Sequence, residues 1–237
     1  MKQLSKFALV ASAAGMLVSP FAAFAQDPVA STSTCSDRAM KWEADFAKRQ
    51  VELADKLAKG RADQDAKWEK NRADWDAKVL SNRNDAEVKR SENRAKQDAK
   101  LSERNASEAL KAAIAEYRKA VDAAISARKI SVDAANASFR SSHEASLKTR
   151  RAAVDAAIAT RKAAVEAAMK DCADKEKFRA TVKAARTAYL ASIEAAQKSH
   201  KETMKAAQAT RQSALKSAHE TFKKAMEAAH AALKAAK

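Results

Sequence analysis

Glycine and proline are nearly missing from this chain. Two of each occur in 237 residues, and beyond residue 25 only Pro28 and Gly60 remain. Mixed α/β domains need turns, and turns draw on clusters of Gly, Pro, Asn and Asp. With those clusters missing, strands are not expected. The same scarcity excludes a glycine-rich phosphate loop. The two cysteines, Cys35 and Cys172, cannot form a pair at metal-ligand spacing. Aromatics make up 5% of the residues, and no segment after residue 25 is long and apolar enough to cross a bilayer. What remains is alanine, the strongest helix former, with Lys, Arg, Glu and Gln around it. The expectation is an all-α protein.

Residues 1–25 have the pattern of a signal peptide. Lys2 and Lys6 form a short basic region, Phe7 to Phe24 is almost continuously apolar, and Ala23-Phe24-Ala25 supplies the small-residue ending before Gln26. The rival reading is a retained anchor, which Pro20 and the small-residue ending disfavour. Cys35 has no lipid-attachment pattern before it. The expected product is exported, periplasmic or extracellular, with a short linker over 26–35 and an extended helical domain over 36–237.

That domain repeats every 11 residues. Blocks read AVDAAISARKI from Ala120, AVDAAIATRKA from Ala153 and AVEAAMKDCAD from Ala164. Apolar anchors recur at Leu110, Val121, Val132, Val154 and Val165, with His143 in the series, and again at Val182, Ile193, Met204, Leu215 and Met226. The first part repeats as DQDAKWEKNRA from Asp63 and DWDAKVLSNRN from Asp74. Eleven residues span three turns at about 3.67 per turn, which keeps a stripe on one face of a nearly straight helix. Phe46, Leu57, Trp68, Val79 and Leu101 share one phase, but Leu110 follows Leu101 by nine residues and lands near the opposite face. The break falls in SERNAS, residues 102–107, where Asn105 or Ser107 can cap a new helix. A second slip separates Val165 from Val182, and Asp174 can cap there. The expected helices cover about 36–103, 107–171 and 175–237, in antiparallel order. One or two very long helices are the alternative.

An up-down-up path brings Cys35 and Cys172 to the same end, and export favours a disulfide between them. Free thiols and pairing between chains are the other two arrangements. No catalytic constellation is evident, and no cofactor or metal is implied. Glu227-Ala-Ala-His230 is half of a di-iron motif that needs a second copy and two more glutamates, and the chain holds no second copy. His219 and His230 stand about 16 Å apart along one helix, too far to share a metal. Trp42, Trp68 and Trp75 lie on the apolar stripe, which assigns them to packing rather than to base stacking.

Charge is the remaining signal. The chain carries 46 basic and 30 acidic residues, net +16. The excess concentrates in 175–237, with 14 basic and 5 acidic residues. Lys198, Lys201, Lys205, Arg211, Lys216, Lys223 and Lys224 are the candidate anion-binding residues, with a solvated lysine face as the bland alternative. The expected partners are an anionic surface or polymer, an acidic protein, or a second copy of the chain; nucleic acid is not expected of an exported protein. The leading expectation is a non-enzymatic interaction or spacer protein of the cell envelope or periplasm. The Ala/Lys-rich 11-mers over 107–237 resemble group-three late-embryogenesis-abundant proteins, which implies a stress protectant acting at membrane surfaces. The signal pattern and the tryptophans depart from that family. Basic charge and export are also similar to periplasmic holdase chaperones with long helical arms, which implies ATP-independent client binding. The β-rich body of those chaperones has no counterpart here.

Overall fold

The computed structural model describes residues 35–170 and 174–236. The expected signal peptide, most of the short linker and Cys172 lie outside the described residues. The described chain is 97% helical, in three helices: α1 Cys35–Glu103, α2 Glu108–Lys170 and α3 Lys175–Ala235. No strand occurs among the described residues. The alternative of one or two very long helices gives way to three. At 1.5 Å per residue, α2 and α3 are each roughly 90–95 Å long.

Local chemistry explains the turn after α1 and the start of α3. At the end of α1, Ala106 N–H donates to the Leu101 carbonyl at 3.0 Å and Asn105 N–H to Ser102 at 3.1 Å. These two bonds form a Schellman closure, which needs one residue in the left-handed region. Asn105 fills that role with φ 49°; asparagine tolerates it better than other non-glycine residues. The Ser107 hydroxyl then accepts from Leu110 N–H at 3.3 Å and caps α2. Before α3, one carboxylate oxygen of Asp174 accepts from Glu176 N–H and Lys177 N–H, both at 3.0 Å. That satisfies two of the four orphan donors at the helix start.

The chain divides into two compact units, one ending at Asn82 and the other beginning at Arg83. In the first, Phe46 is buried and stacks on Trp42, with ring centroids 5.4 Å apart. Leu53, Leu57, Trp68, Trp75 and Val79 are half-buried, as stripe residues should be. In the second unit, α2 and α3 pack as an antiparallel hairpin. Its centre is made of small side chains. Ala124, Ala135, Ser146, Ala157 and Ala168 are buried on α2, and Ala185, Ala196, Ala218 and Ala229 on α3. The large anchors beside them are mostly half-buried; Val165, at 1% exposure, is the exception. Small residues let two helix backbones approach toward the short end of the usual 8–10 Å range, and the larger anchors then cover the edges of the seam.

Candidate functional site

Flanking the alanine seam is a series of cross-helix contacts in fixed register. The Arg161 guanidinium lies 5.3 Å from the Tyr189 ring centroid, Arg211 5.4 Å from Phe139, and Arg128 5.2 Å from Phe222. The α2 members are 128, 139 and 161, and the α3 members 222, 211 and 189. Each step of 11 or 22 residues up one helix is matched by the same step down the other. Cation–ring contacts of this kind contribute about 0.5–1 kcal/mol when partly exposed. Burial lowers the pKa of Arg161, and the nearby Arg186 lowers it further, while Tyr189 works the other way.

A second series joins the last stretch of α1 to α2. Arg83 meets Asp133 through two hydrogen bonds of 2.6 and 3.0 Å, and Arg94 meets Asp122 through two of the same lengths. Arg118 reaches back to Asp98 at 2.7 Å. The order of these pairs sets this part of α1 antiparallel to α2. The Arg94 hydrogen bond holds the Asp122 carboxyl below its ordinary pKa, with the Arg94 and Arg90 charges adding to it. The Arg118 hydrogen bond does the same for Asp98. Sequence reading missed these pairs, although the signal was present. Arginine recurs every 11 residues at 61, 72, 83 and 94, and an acid recurs at 122, 133, 144, 155 and 166.

One layer of the hairpin departs from the others. Where neighbouring layers set a guanidinium against a Tyr or Phe ring, the layer between them holds Arg150 and His200. The Ser146 hydroxyl and His200 Nδ1 share a hydrogen bond of 2.8 Å, and the His143 ring stands edge-on to His200 with centroids 6.3 Å apart. Burial pushes the His200 pKa down and the Arg150 charge lowers it further; Ser146 acts in the opposite direction. A cavity of about 410 Å³ opens here between α2 and α3, lined by Ser, Thr and Ala side chains together with Arg150 and His200.

The anion-binding candidates do not all sit alike. Lys198, Lys201, Lys205, Lys216, Lys223 and Lys224 are exposed. At 100° per residue the first five share one face of α3, opposite the alanine seam, and Lys224 flanks it. Among the described residues, Lys223 alone of these has an intrahelical ion pair, with Glu227 at 3.9 Å. Arg211 is placed differently: its Nε donates to the side-chain amide oxygen Oδ1 of Asn136 at 2.7 Å, inside the α2–α3 interface. The Glu227/His230 motif is also dispersed. Glu227 sits by Lys223, and His230 Nε2 lies 3.2 Å from the Tyr117 hydroxyl. Among the described residues no group of three His, Cys, Asp or Glu side chains is placed to hold a metal, and no helix is long and apolar enough to cross a membrane. The Cys35–Cys172 bond rests on a residue outside the described ones.

Neither a protein-family model nor a curated protein nor a solved structure matches this chain.

Proposed function

We propose that this is a non-enzymatic, exported interaction or spacer protein of the cell envelope or periplasm, which meets anionic surfaces or polymers through α3. One observation carries the reading. Arg128, Arg161 and Arg211 lie over aromatic rings across the hairpin and Arg211 also donates to the Asn136 side-chain amide, whereas the six α3 lysines are exposed, and five of the six make no ion pair among the described residues. Arginine suits fixed, planar partners, while lysine is a mobile, strongly hydrated point charge suited to diffuse anionic targets. The lysine face of α3 carries no bulky apolar side chains between the charges, so adsorption would rest on electrostatics rather than on insertion.

The test compares the mature chain with a variant carrying Gln at 198, 201, 205, 216, 223 and 224. Retention on heparin and on vesicles containing anionic lipid should be strong at low salt and fall steeply with ionic strength, because charges beyond about 8 Å are screened at physiological salt. The variant should elute early while keeping its helix content. Equal retention of the two proteins would refute the reading.

A further inference from the structure

We propose that the outer face of α3 is a track for a single extended polyanion, a linear polymer bearing phosphate or sulfate groups, which rests on the anion-binding reading of α3 and narrows its partner from any anionic surface to a chain. Lys198, Lys201, Lys205, Lys216 and Lys223 share that face. Gln208, Gln212 and His219 fill the intervals between them, so that every step along the row is three or four residues. Such steps keep side chains in one line along a helix. All eight residues are exposed. Ammonium, amide and imidazole groups can each donate a hydrogen bond to an anion. From Lys198 to Lys223 the row is roughly 37 Å long at about 1.5 Å per residue.

Carboxylates bound this row. The next step back from Lys198 is Glu194, and the next step on from Lys223 is Glu227, which pairs with that lysine at 3.9 Å. Glu202 and Glu220 lie along one edge, about 40° outside the lysines at 100° per residue. All four glutamates are exposed. A flat anionic surface pressed against this side would meet the carboxylates together with the lysines, and like charges repel. A chain one polymer wide, laid along the row, would meet only donors. The row holds no Trp, Tyr or Phe and no bulky aliphatic side chain. Nucleic-acid bases would therefore find no platform for stacking, and lipid chains no apolar face to receive.

The experiment titrates the full chain by calorimetry with long-chain inorganic polyphosphate, inorganic triphosphate, and vesicles of phosphatidylcholine and phosphatidylglycerol, at equal anionic charge and ionic strength. Polyphosphate should bind at least about tenfold more tightly than either of the others, because one chain engages several lysines at once. Its affinity should fall with salt at a log–log slope of about −3.5, at about −0.7 for each of five lysines as for a single strand. In NMR spectra the His219 Cε1–Hε1 signal should shift saturably with polyphosphate while His200, inside the hairpin, stays. Lys205→Glu with Lys216→Glu breaks the row and should bring the slope to about −2. Lys119→Glu with Lys148→Glu makes the same charge change at exposed positions of α2 and should leave the slope near the parent value. Circular dichroism checks that both variants keep their helix content, and the His219 shift in the parent depends on neither. The proposal is overturned if vesicles or triphosphate bind as tightly as polyphosphate, if His219 does not move or His200 moves with it, or if the α2 pair weakens binding as the α3 pair does. Equal binding to vesicles would leave α3 as a contact for anionic surfaces and remove only the track. No binding to any of the three would remove the anion-binding reading itself.

Discussion

Arg94 and Asp122 form a two-pronged ion pair across the α1–α2 interface, with Nη2 2.6 Å from Oδ1 and Nη1 3.0 Å from Oδ2. The planar fork of the guanidinium matches the carboxylate, and such pairs add orientation as well as energy. Their side chains remain 28% and 45% exposed, which limits the pair to about 0.2–1 kcal/mol after screening. Asp122→Arg should therefore lower the midpoint of thermal unfolding modestly. The exchanged double variant, Arg94→Asp with Asp122→Arg, should recover part of the loss. A double-mutant cycle read by chemical denaturation measures the coupling, and an additive result would remove the pair as an organiser of the α1–α2 register.

The alanine seam predicts a sharp contrast between neighbours. Ala157 is buried against α3, while Ala156 is exposed. Ala157→Leu should force the helices apart and cost about 1–3 kcal/mol. Ala156→Leu should stay within about 0.5 kcal/mol of the parent. Urea denaturation of both variants decides it; equal effects would mean that the seam is not closely packed.

Asp174 and Asn105 mark the two turns. Asp174→Ala removes acceptors from Glu176 and Lys177 N–H and should cost about 1 kcal/mol. Asn105 stands at φ 49°, so Asn105→Gly should be neutral or stabilising and Asn105→Val should destabilise by about 1–2 kcal/mol. Thermal unfolding followed by circular dichroism ranks the three. A stabilising valine would contradict the left-handed closure.

Acid should weaken the fold in two stages, first at the α2–α3 hairpin and then at the α1–α2 ion pairs. The His200 pKa is lowered in the folded chain, so the unfolded chain binds the proton first as pH falls. The stability tied to His200 is present above the unfolded value of about 6.5 and is lost as pH falls through the lowered folded value. Asp98 and Asp122 have pKa values lowered from 3.8. Their contribution is present above that value and disappears as pH falls through the folded ones. Denaturation in chloride buffers from pH 8 to 3 should show both declines, and His200→Tyr should remove the first. A parent whose stability does not change between pH 8 and 5 would contradict the burial of His200.

Gly60 lies inside α1, and a Cβ built there meets nothing within 4 Å. Gly60→Ala should stabilise the protein by about 0.5–1 kcal/mol through the entropy of the unfolded chain. A loss of stability in thermal unfolding would show that the position needs its glycine for close approach.

The sequence by itself determined the helical class and located the two breaks in the stripe; the structure decided for three helices over one or two longer ones. Scarce breakers and abundant alanine settle the backbone locally, because helix propensity and the hydrogen bonds that realise it act within a few residues. The slip of the stripe between Leu101 and Leu110 brackets the turn at 104–107, since a straight helix cannot carry both residues on one face. Periodicity reports only the direction in which a side chain points from its own axis. It does not say which helix stands opposite or at what register, and so the tertiary structure alone decided the rest. It put the alanines three positions after the large anchors at the closest approach, where backbones can meet only if the side chains are small. It brought Arg83 and Arg94 to Asp133 and Asp122, and it turned Arg211 inward while leaving the neighbouring lysines in water. It also set His200 beside Ser146 and Arg150, residues separated in sequence by a whole helical turn-back, because antiparallel packing adds a step along one helix to an equal step back along the other.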